Sequence, residues 1–259
     1  MHRVSAAIIV FNEEHTIERC LNSLLWVDEI VVVDAYSTDN TKKIACDPNA
    51  PWAKKLKWHE RLWSGFRDQR NFCISQTTND WILVVDADEK CTDVLKSKIQ
   101  EILKQTSPHT AWKVRRQEYF LGKPIYFGIW NPSYQDRFFH KSGVHYINDI
   151  HEYPYYPVKP MRIHEPLEHY PDFEPEKFLT KMNKYTTIEA RDRVKAGKRT
   201  NLFRVIFAGP AMFIKNYFYY KAYRDGAHGI VISVLEGVSR SVRHVKMWQI
   251  QNNLKRGNS

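Results

Sequence analysis

Residues Ile30-Val31-Val32-Val33 are four consecutive β-branched aliphatics set between Glu29 and Asp34, and they admit few structures. A run this short and this apolar is a strand buried on both faces, and such strands belong to parallel sheets covered by helices. Two further runs share the pattern. Ser5–Val10 opens into Phe11-Asn12-Glu13-Glu14, and Trp81–Val85 ends in Asp86-Ala87-Asp88-Glu89. Between them the period becomes helical. Ile17, Leu21, Leu24 and Leu25 share one face over 15–25, and Ser37-Thr38-Asp39 offers capping groups for a helix from Asn40. Residues 68–76 and 92–104 read as further helices, the second burying Leu95, Ile99, Ile102 and Leu103, and 55–58 adds a strand. Strands alternating with helices predict an α/β fold, with a mixed, mostly parallel sheet flanked by helices.

Ligands of open α/β sheets sit beyond the carboxyl ends of the strands. Three such ends here carry acids: Asn12-Glu13-Glu14, Asp34, and Asp86-Ala87-Asp88. A buried strand ending in three carboxylates within four residues needs positive charge nearby. A divalent cation held by oxygen ligands, together with a phosphorylated substrate, meets that need.

Beyond Trp112 the pattern turns irregular and aromatic, with strands expected at 112–115 and 135–139. Pro154, Pro157, Pro160 and Pro166 mark a connector, and past Pro175 the chain reads as helical and basic. The expected division is a catalytic domain over 1–170 and a basic helical region over 171–259.

The net charge of +10 is confined to that last region. Residues 191–259 hold 14 Lys and Arg against 3 Asp and Glu, whereas the first 190 hold 25 and 26. Such asymmetry points to an anionic partner. Leu202–Ile214 is strongly apolar and Tyr217-Phe218-Tyr219-Tyr220 is flanked by Lys215 and Lys221, a composition that suits an anionic membrane interface. A helical subdomain packed on the core, with its charges merely solvated, fits the same residues. Nucleic acid fits poorly, because the cations are mixed with long apolar stretches. No stretch reaches the roughly 18 apolar residues of a spanning helix, and Met1-His2-Arg3-Val4 leads straight into a strand without a secretory pattern. Cys20, Cys46, Cys73 and Cys91 form no CxxC and read as free thiols of a reducing compartment. The expected location is cytoplasmic, peripheral on the inner face of the inner membrane.

The segments Ile9–Glu14, Val32–Thr41, Asp68-Gln69-Arg70-Asn71 and Trp81–Glu89 together resemble the inverting glycosyltransferases of family 2, in order, spacing and strand context over residues 5–105. Pro132–Phe139 and Ile150-His151-Glu152 are similar to a bacterial subgroup acting on lipopolysaccharide core and related surface glycans. The resemblance implies a GT-A fold and a nucleotide-diphosphate sugar donor, a UDP-sugar being favoured. It implies inversion at the anomeric carbon and a lipid-linked saccharide acceptor. By motif match, Phe11, Asn12 and Glu14 line the nucleoside pocket, Asp34 accepts hydrogen bonds from base or ribose, and Arg70 holds the nucleotide. Asp86 and Ala87 lie against ribose or sugar, and Asp88 coordinates Mg²⁺ or Mn²⁺, with Asp86 as a second candidate ligand. Ala35, Tyr36 and Ser133 depart from the family pattern, the first two where small residues are frequent and the third where Asp is frequent.

Inverting transfer needs a base for the acceptor hydroxyl and neutralisation of the leaving diphosphate. Glu152 and Asp149 are the base candidates, the motif match favouring Glu152. Arg137 either neutralises phosphate or pairs with a carboxylate. Trp130 and Tyr134 are candidates for an acceptor-stacking face, and His164 or His169 for completing a metal shell, since imidazole suits Mn²⁺. A polyprenyl-phosphate sugar synthase and a non-catalytic nucleotide- or membrane-binding scaffold of the same fold are the alternative functions.

Overall fold

The computed structural model describes residues 2–105, 110–147, 153–171 and 173–257, with side chains to residue 253. The chain divides into two compact units, one of residues 1–117 and 133–172 and the other of 118–132 and 173–259.

In the first unit the order is β1 (Val4–Val10), α1 (Ile17–Ser23), β2 (Glu29–Asp34), α2 (Thr41–Ala45), β3 (Leu56–Glu60), α3 (Phe66–Ser75), β4 (Trp81–Val84), β5 (Glu89–Cys91) and α4 (Asp93–Lys104). Strand β6 (Ala111–Phe120) runs on into the second unit, where it pairs with β7 (Lys123–Pro124). The first unit resumes with β8 (Ser133–His140), β9 (His145–Ile147), β10 (Tyr153–Tyr155) and β11 (Met161–His169). The main sheet runs β3-β2-β1-β4-β8-β6-β11-β5, and β9 and β10 form a separate antiparallel pair. The expected mixed α/β sheet is present. Strands β3, β2, β1 and β4 are parallel, whereas β4 with β8, β8 with β6, and β11 with β5 are antiparallel.

The β-branched runs are buried as their composition requires. Alternate residues of β2 enter different cores: Ile30 and Val32 join one cluster with Ile8, Leu83 and Val85, while Val31 and Val33 join another with Ala7, Ile82 and Val84. Helices cover both faces. Ile17 and Leu21 of α1 and Leu95 and Ile99 of α4 pack in the first cluster, and Cys73 and Ile74 of α3 in the second. Each such aliphatic contributes about 1.5–3 kcal/mol by leaving water. Thr92 caps α4 by accepting from the Leu95 amide at 3.2 Å.

One expectation changes. The proline-rich stretch is not a connector: Pro154 lies in β10 and Pro166 in β11. Pairing of β11 with β5 starts at Leu167 opposite Cys91, so the amide that Pro166 lacks is not needed on that edge, and its carbonyl accepts from Thr92 Oγ1 at 2.7 Å.

The second unit contains α5 (Pro175–Lys195), α6 (Leu202–Ile214) and α7 (Ala227–Gly257), with a π-helical turn at Lys215–Tyr219 and a 3₁₀ turn at Ala222–Asp225. Segment 118–132 is held to them by distant residues. Asp225 accepts from the Tyr126 and Phe127 amides at 3.2 and 2.9 Å, and Asn216 Oδ1 accepts from the Ile129 amide at 2.7 Å. Phe120, Ile125 and Ile232 form the apolar centre with Trp130, Phe173 and Leu235 around it. Helices α6 and α7 meet closely at Gly209, where a Cβ would come within 2.7 Å of the Gly237 carbonyl oxygen. No helix among the described residues is long and apolar enough to cross a membrane.

Candidate active site

Strand order reverses between β1 and β4, since the chain lays β2 and β3 on one side of β1 and β4 on the other. Loops diverging from such a point leave a crevice at the carboxyl ends of the strands. The Phe11–Glu14 and Asp86–Glu89 segments flank it, with the Asp34–Asn40 segment beside them.

The Phe11–Glu14 and Asp34–Asn40 loops are joined to each other by hydrogen bonds. Asn12 takes a left-handed backbone (φ +55°), its amide donates to Ser37 Oγ at 2.9 Å and its Oδ1 accepts from the Thr38 amide at 2.8 Å. The Glu14 amide donates to Asp39 Oδ2 at 3.1 Å, while Glu14 Oε2 accepts from the Asn40 amide and Nδ2 at 3.0 and 2.7 Å. These bonds, the Asn40 amide first, hold the Glu14 carboxyl below its ordinary range. Asp34 is buried and accepts from the Ser37 amide and hydroxyl. Tyr36 stands at φ +63°, a left-handed position that favours glycine, which gives the small residues frequent there a backbone reason. Phe11 and Tyr36 are about half exposed beside these loops. An open groove of 1620 Å³ borders them, touching Glu14, Ser37, Asp39 and Asn40.

At the end of β4 the acids differ in their partners. Asp86 Oδ1 accepts from Arg70 Nη2 of α3 at 2.9 Å, and Oδ2 pairs with Arg137 of β8. Arg137 is buried and also donates to Glu89 Oε1 at 2.7 Å, and Arg116 Nη1 lies 3.9 Å from the same oxygen. Glu89 in turn accepts from the Asp86 amide at 2.9 Å, closing the turn. Burial works to raise the Asp86 carboxyl, but the Arg137 and Arg70 guanidiniums overcome it and hold it well below the usual carboxylate range. For the fully buried Glu89, burial prevails and its carboxyl is raised. Arg137 is thus paired with carboxylates, and Glu89, to which the sequence assigned no role, completes the cluster. Its signal was the third acid of Asp86-Ala87-Asp88-Glu89.

Asp88 points elsewhere. Its Oδ2 lies 3.0 Å from His169 Nε2, its carbonyl accepts from the Tyr170 amide at 2.8 Å, and its side chain is 25% exposed. The β11–β5 register sets His169 opposite Glu89, which brings the imidazole to the acid loop. His164, the other histidine candidate, instead meets Tyr134 Oη through Nδ1 at 2.7 Å, with Arg162 over the Tyr134 ring. Trp130 belongs to the second unit, where its indole donates to Glu236 Oε1 at 2.9 Å and its ring meets Phe120 edge-on. Ala87 is buried in the first unit's core. Asp149 and Glu152 lie outside the described residues. Just before them, Asn71 of α3 exchanges two hydrogen bonds with the Tyr146 backbone, at 2.7 and 3.0 Å.

The donor set of Asp88 and His169, one carboxylate and one imidazole with solvent access, fits a divalent cation that takes its remaining ligands from water and phosphate oxygens. Among the described residues no group of three or more His, Cys, Asp or Glu is arranged to hold a metal alone.

The chain is similar in sequence to known proteins. It is 29% identical over 255 residues to the lipopolysaccharide core biosynthesis glycosyltransferase LpsC of Rhizobium meliloti, covering 95% of this chain and 92% of that protein. It is 30% identical over 262 residues to an uncharacterized glycosyltransferase of Rickettsia felis, covering 95% and 90%. Among solved structures, S. aureus TarS 1-349 in complex with UDP aligns with 99% of this chain and 92% of its own, at 14% identity and a TM-score of 0.47. Residues 5–159 match the sequence family described as glycosyl transferase family 2, so the chain belongs to that glycosyltransferase family.

Proposed function

We propose that this glycosyltransferase moves a sugar, with inversion, from a nucleotide-diphosphate donor of the UDP type to a lipid-linked saccharide such as lipopolysaccharide core. The observation that carries the reading is the division of labour at the end of β4: Asp86 is held by Arg70 and Arg137, leaving Asp88 beside His169 and open to solvent. Similarity to a lipopolysaccharide core glycosyltransferase along most of both chains supports the acceptor class.

In this reading Asn12, Glu14 and Asp34 shape the nucleoside side of the crevice, and the hydrogen bonds they accept from Thr38, Asn40 and Ser37 fix it before the donor arrives. Asp88 and His169 are the residues that would hold Mg²⁺ or Mn²⁺. Asp86, expected as a second ligand, has its oxygens committed to guanidiniums and serves to position Arg70 instead. A divalent ion bound there supplies charge neutralisation to the departing diphosphate. Arg70 and Arg137 neutralise Asp86 and Glu89, which lowers the repulsion an anionic ligand would meet on that side. Glu152 takes the acceptor hydroxyl proton, with Asp149 as the alternative base. Residues 1–170 carry the reaction. Residues 171–259, with Phe203, Phe207, Phe218 and Tyr219 exposed among cations, bring the enzyme to the anionic cytoplasmic face of the inner membrane.

Transfer assays of purified protein with a panel of nucleotide sugars, with Mn²⁺ or chelator, against a lipid-linked saccharide and against polyprenyl phosphate test the reading. Metal-dependent transfer to the saccharide is expected. Transfer to polyprenyl phosphate alone would assign the synthase reaction instead, and absence of transfer or donor hydrolysis with every donor would leave a scaffold.

A further inference from the structure

Within the second unit, the turn between α5 and α6 is fastened to one face of α7. The Thr200 amide donates to Gln251 Oε1 at 3.2 Å, Gln251 Nε2 donates to the Lys198 carbonyl at 3.3 Å, and Thr200 Oγ1 lies 2.9 Å from His244 Nδ1. His244 and Gln251 are seven residues apart and share a helix face. Trp248, between them in sequence, joins Lys198, Arg199 and Leu202 in lining a cavity of 670 Å³. Trp248 and Leu202 are 44% and 62% exposed, so the cavity has an apolar wall open to solvent.

Lys198 and Arg199 place two cations on its rim, and further cations stand on the neighbouring helices. Arg204, on the first turn of α6, donates from Nη1 to the Arg199 carbonyl at 2.8 Å, and Arg240 lies one helical turn before His244. Arg240 donates to the thioether of Met212 at 3.5 Å, a weak acceptor for a guanidinium. Among the described residues no carboxylate forms an ion pair with Lys198, Arg199 or Arg204, whereas Arg240 feels Glu189 and Glu236. Arg243 does pair with Glu189, at 2.5 Å, but it is buried with its Nε lacking a hydrogen-bond partner. Burial, and then the charges of Arg243, Arg240 and Arg204, hold His244 below its ordinary value, so these groups sense one another.

Folding gains nothing by setting Lys198 and Arg199 side by side on the rim of a cavity, since like charges repel. An anion removes that repulsion. Guanidinium forks match phosphate oxygens, and the Trp248–Leu202 wall suits an apolar chain next to the charge.

We propose that the cavity at the α5–α6 turn binds the phosphate group of an amphiphile, with Lys198 and Arg199 at the phosphate, Arg204 next to Arg199, and Trp248 and Leu202 against its apolar part. The site makes no use of the transfer chemistry, so its test reads binding rather than activity. Two sources of phosphate, a bilayer headgroup and a soluble phosphate ester, are told apart by two measurements on the full chain. One is flotation with vesicles of phosphatidylcholine alone or mixed with phosphatidylglycerol. The other is the thermal shift produced by glycerol 3-phosphate.

Wild type is expected to prefer the anionic vesicles, and Lys198→Gln and Arg199→Gln to weaken that binding about fivefold each. Both side chains are exposed, so folding is not at issue. Lys181→Gln makes the same change of charge on an exposed stretch of α5 outside the cavity and serves as the control. A thermal shift by glycerol 3-phosphate that the two variants lose, without vesicle binding, keeps the site and assigns it a soluble ester. An equal loss with Lys181→Gln, or no difference between the variants and wild type, overturns the site. So does wild type that responds neither to phosphate nor to anionic vesicles.

Discussion

The carboxyl ends of the parallel strands and the α5–α6 turn both concentrate charge, and they treat it in opposite ways. At the strand ends acids and guanidiniums are matched: Asp86 with Arg70 and Arg137, Glu89 with Arg137, Asp88 with His169. At the turn, Lys198, Arg199 and Arg204 form no ion pair with a carboxylate among the described residues. The first region is therefore organised before any ligand arrives, and only Asp88 and His169 retain a reason to bind a cation. The second is balanced only when something from outside joins it. The same residue type, arginine, is structural in one place and available in the other.

The sharpest way to break this contrast is at Asp88. Asp88→Ala removes a quarter-exposed side chain, so thermal stability should stay within a few degrees of wild type. Transfer should fall roughly 10³-fold, as the neutralisation of the diphosphate is worth several kcal/mol. Steady-state rates at several Mn²⁺ concentrations check this, and wild-type activity in the presence of chelator would remove the metal from the reading.

Asp86→Ala should behave differently. It takes Asp86 away from Arg70 and leaves Arg137 with Glu89, and breaking such a pair costs about 3 kcal/mol of stability. Urea denaturation should show the midpoint falling with the slope unchanged. If Asp86→Ala is as stable as wild type and merely inactive, Asp86 is a ligand-binding group and not the residue that positions the guanidiniums.

Much of this was readable from the residues, for a physical reason. A β-branched run buried on both faces leaves few alternatives, and the acids at its end follow directly in the chain, so β1, β2, β4 and their loops could be placed from local pattern alone. The Asp88–His169 pair could not. It depends on the antiparallel register of β11 against β5, hidden behind prolines that read as a connector, and so His164 and His169 looked equivalent. Trp130 was misleading in a similar way. Its sequence neighbour Tyr134 is on β8, whereas its own hydrogen bond is to Glu236, 106 residues away. Non-local pairing of this kind leaves no periodic trace.

The matched side of the contrast extends to the start of β2. Glu29 is buried and accepts from Ser5, from the Thr78 amide and hydroxyl at 2.8 and 3.0 Å, and pairs with Lys57. Burial alone would raise its carboxyl, but Lys57, Ser5 and Thr78 bring it down to about 2. A carboxyl depressed on folding binds fewer protons in the native state. Its stabilisation is complete above the unfolded value near 4.5 and is lost as pH falls towards 2. About 2 kcal/mol should be gone by pH 3. Glu29→Gln should be less stable at pH 7 and should lose less on acidification, as read from denaturation midpoints at both pH values.

The smallest effect separates the two regions by sign. Arg199→Met keeps a long side chain at the cavity but removes a charge beside Lys198 and Arg204. In phosphate-free buffer of low ionic strength the variant should be more stable than wild type by about 0.5 kcal/mol, the scale of a partly solvated charge interaction. The gain should vanish in 1 M salt, where the screening length shrinks to about 3 Å. Glycerol 3-phosphate should reverse the order by stabilising wild type alone. Arg137→Met, with Asp86 and Glu89 left facing one another, should destabilise at every ionic strength. Melting curves of the two variants side by side decide the matter: if both lose stability, the cations of the α5–α6 turn are as structural as those at the strand ends.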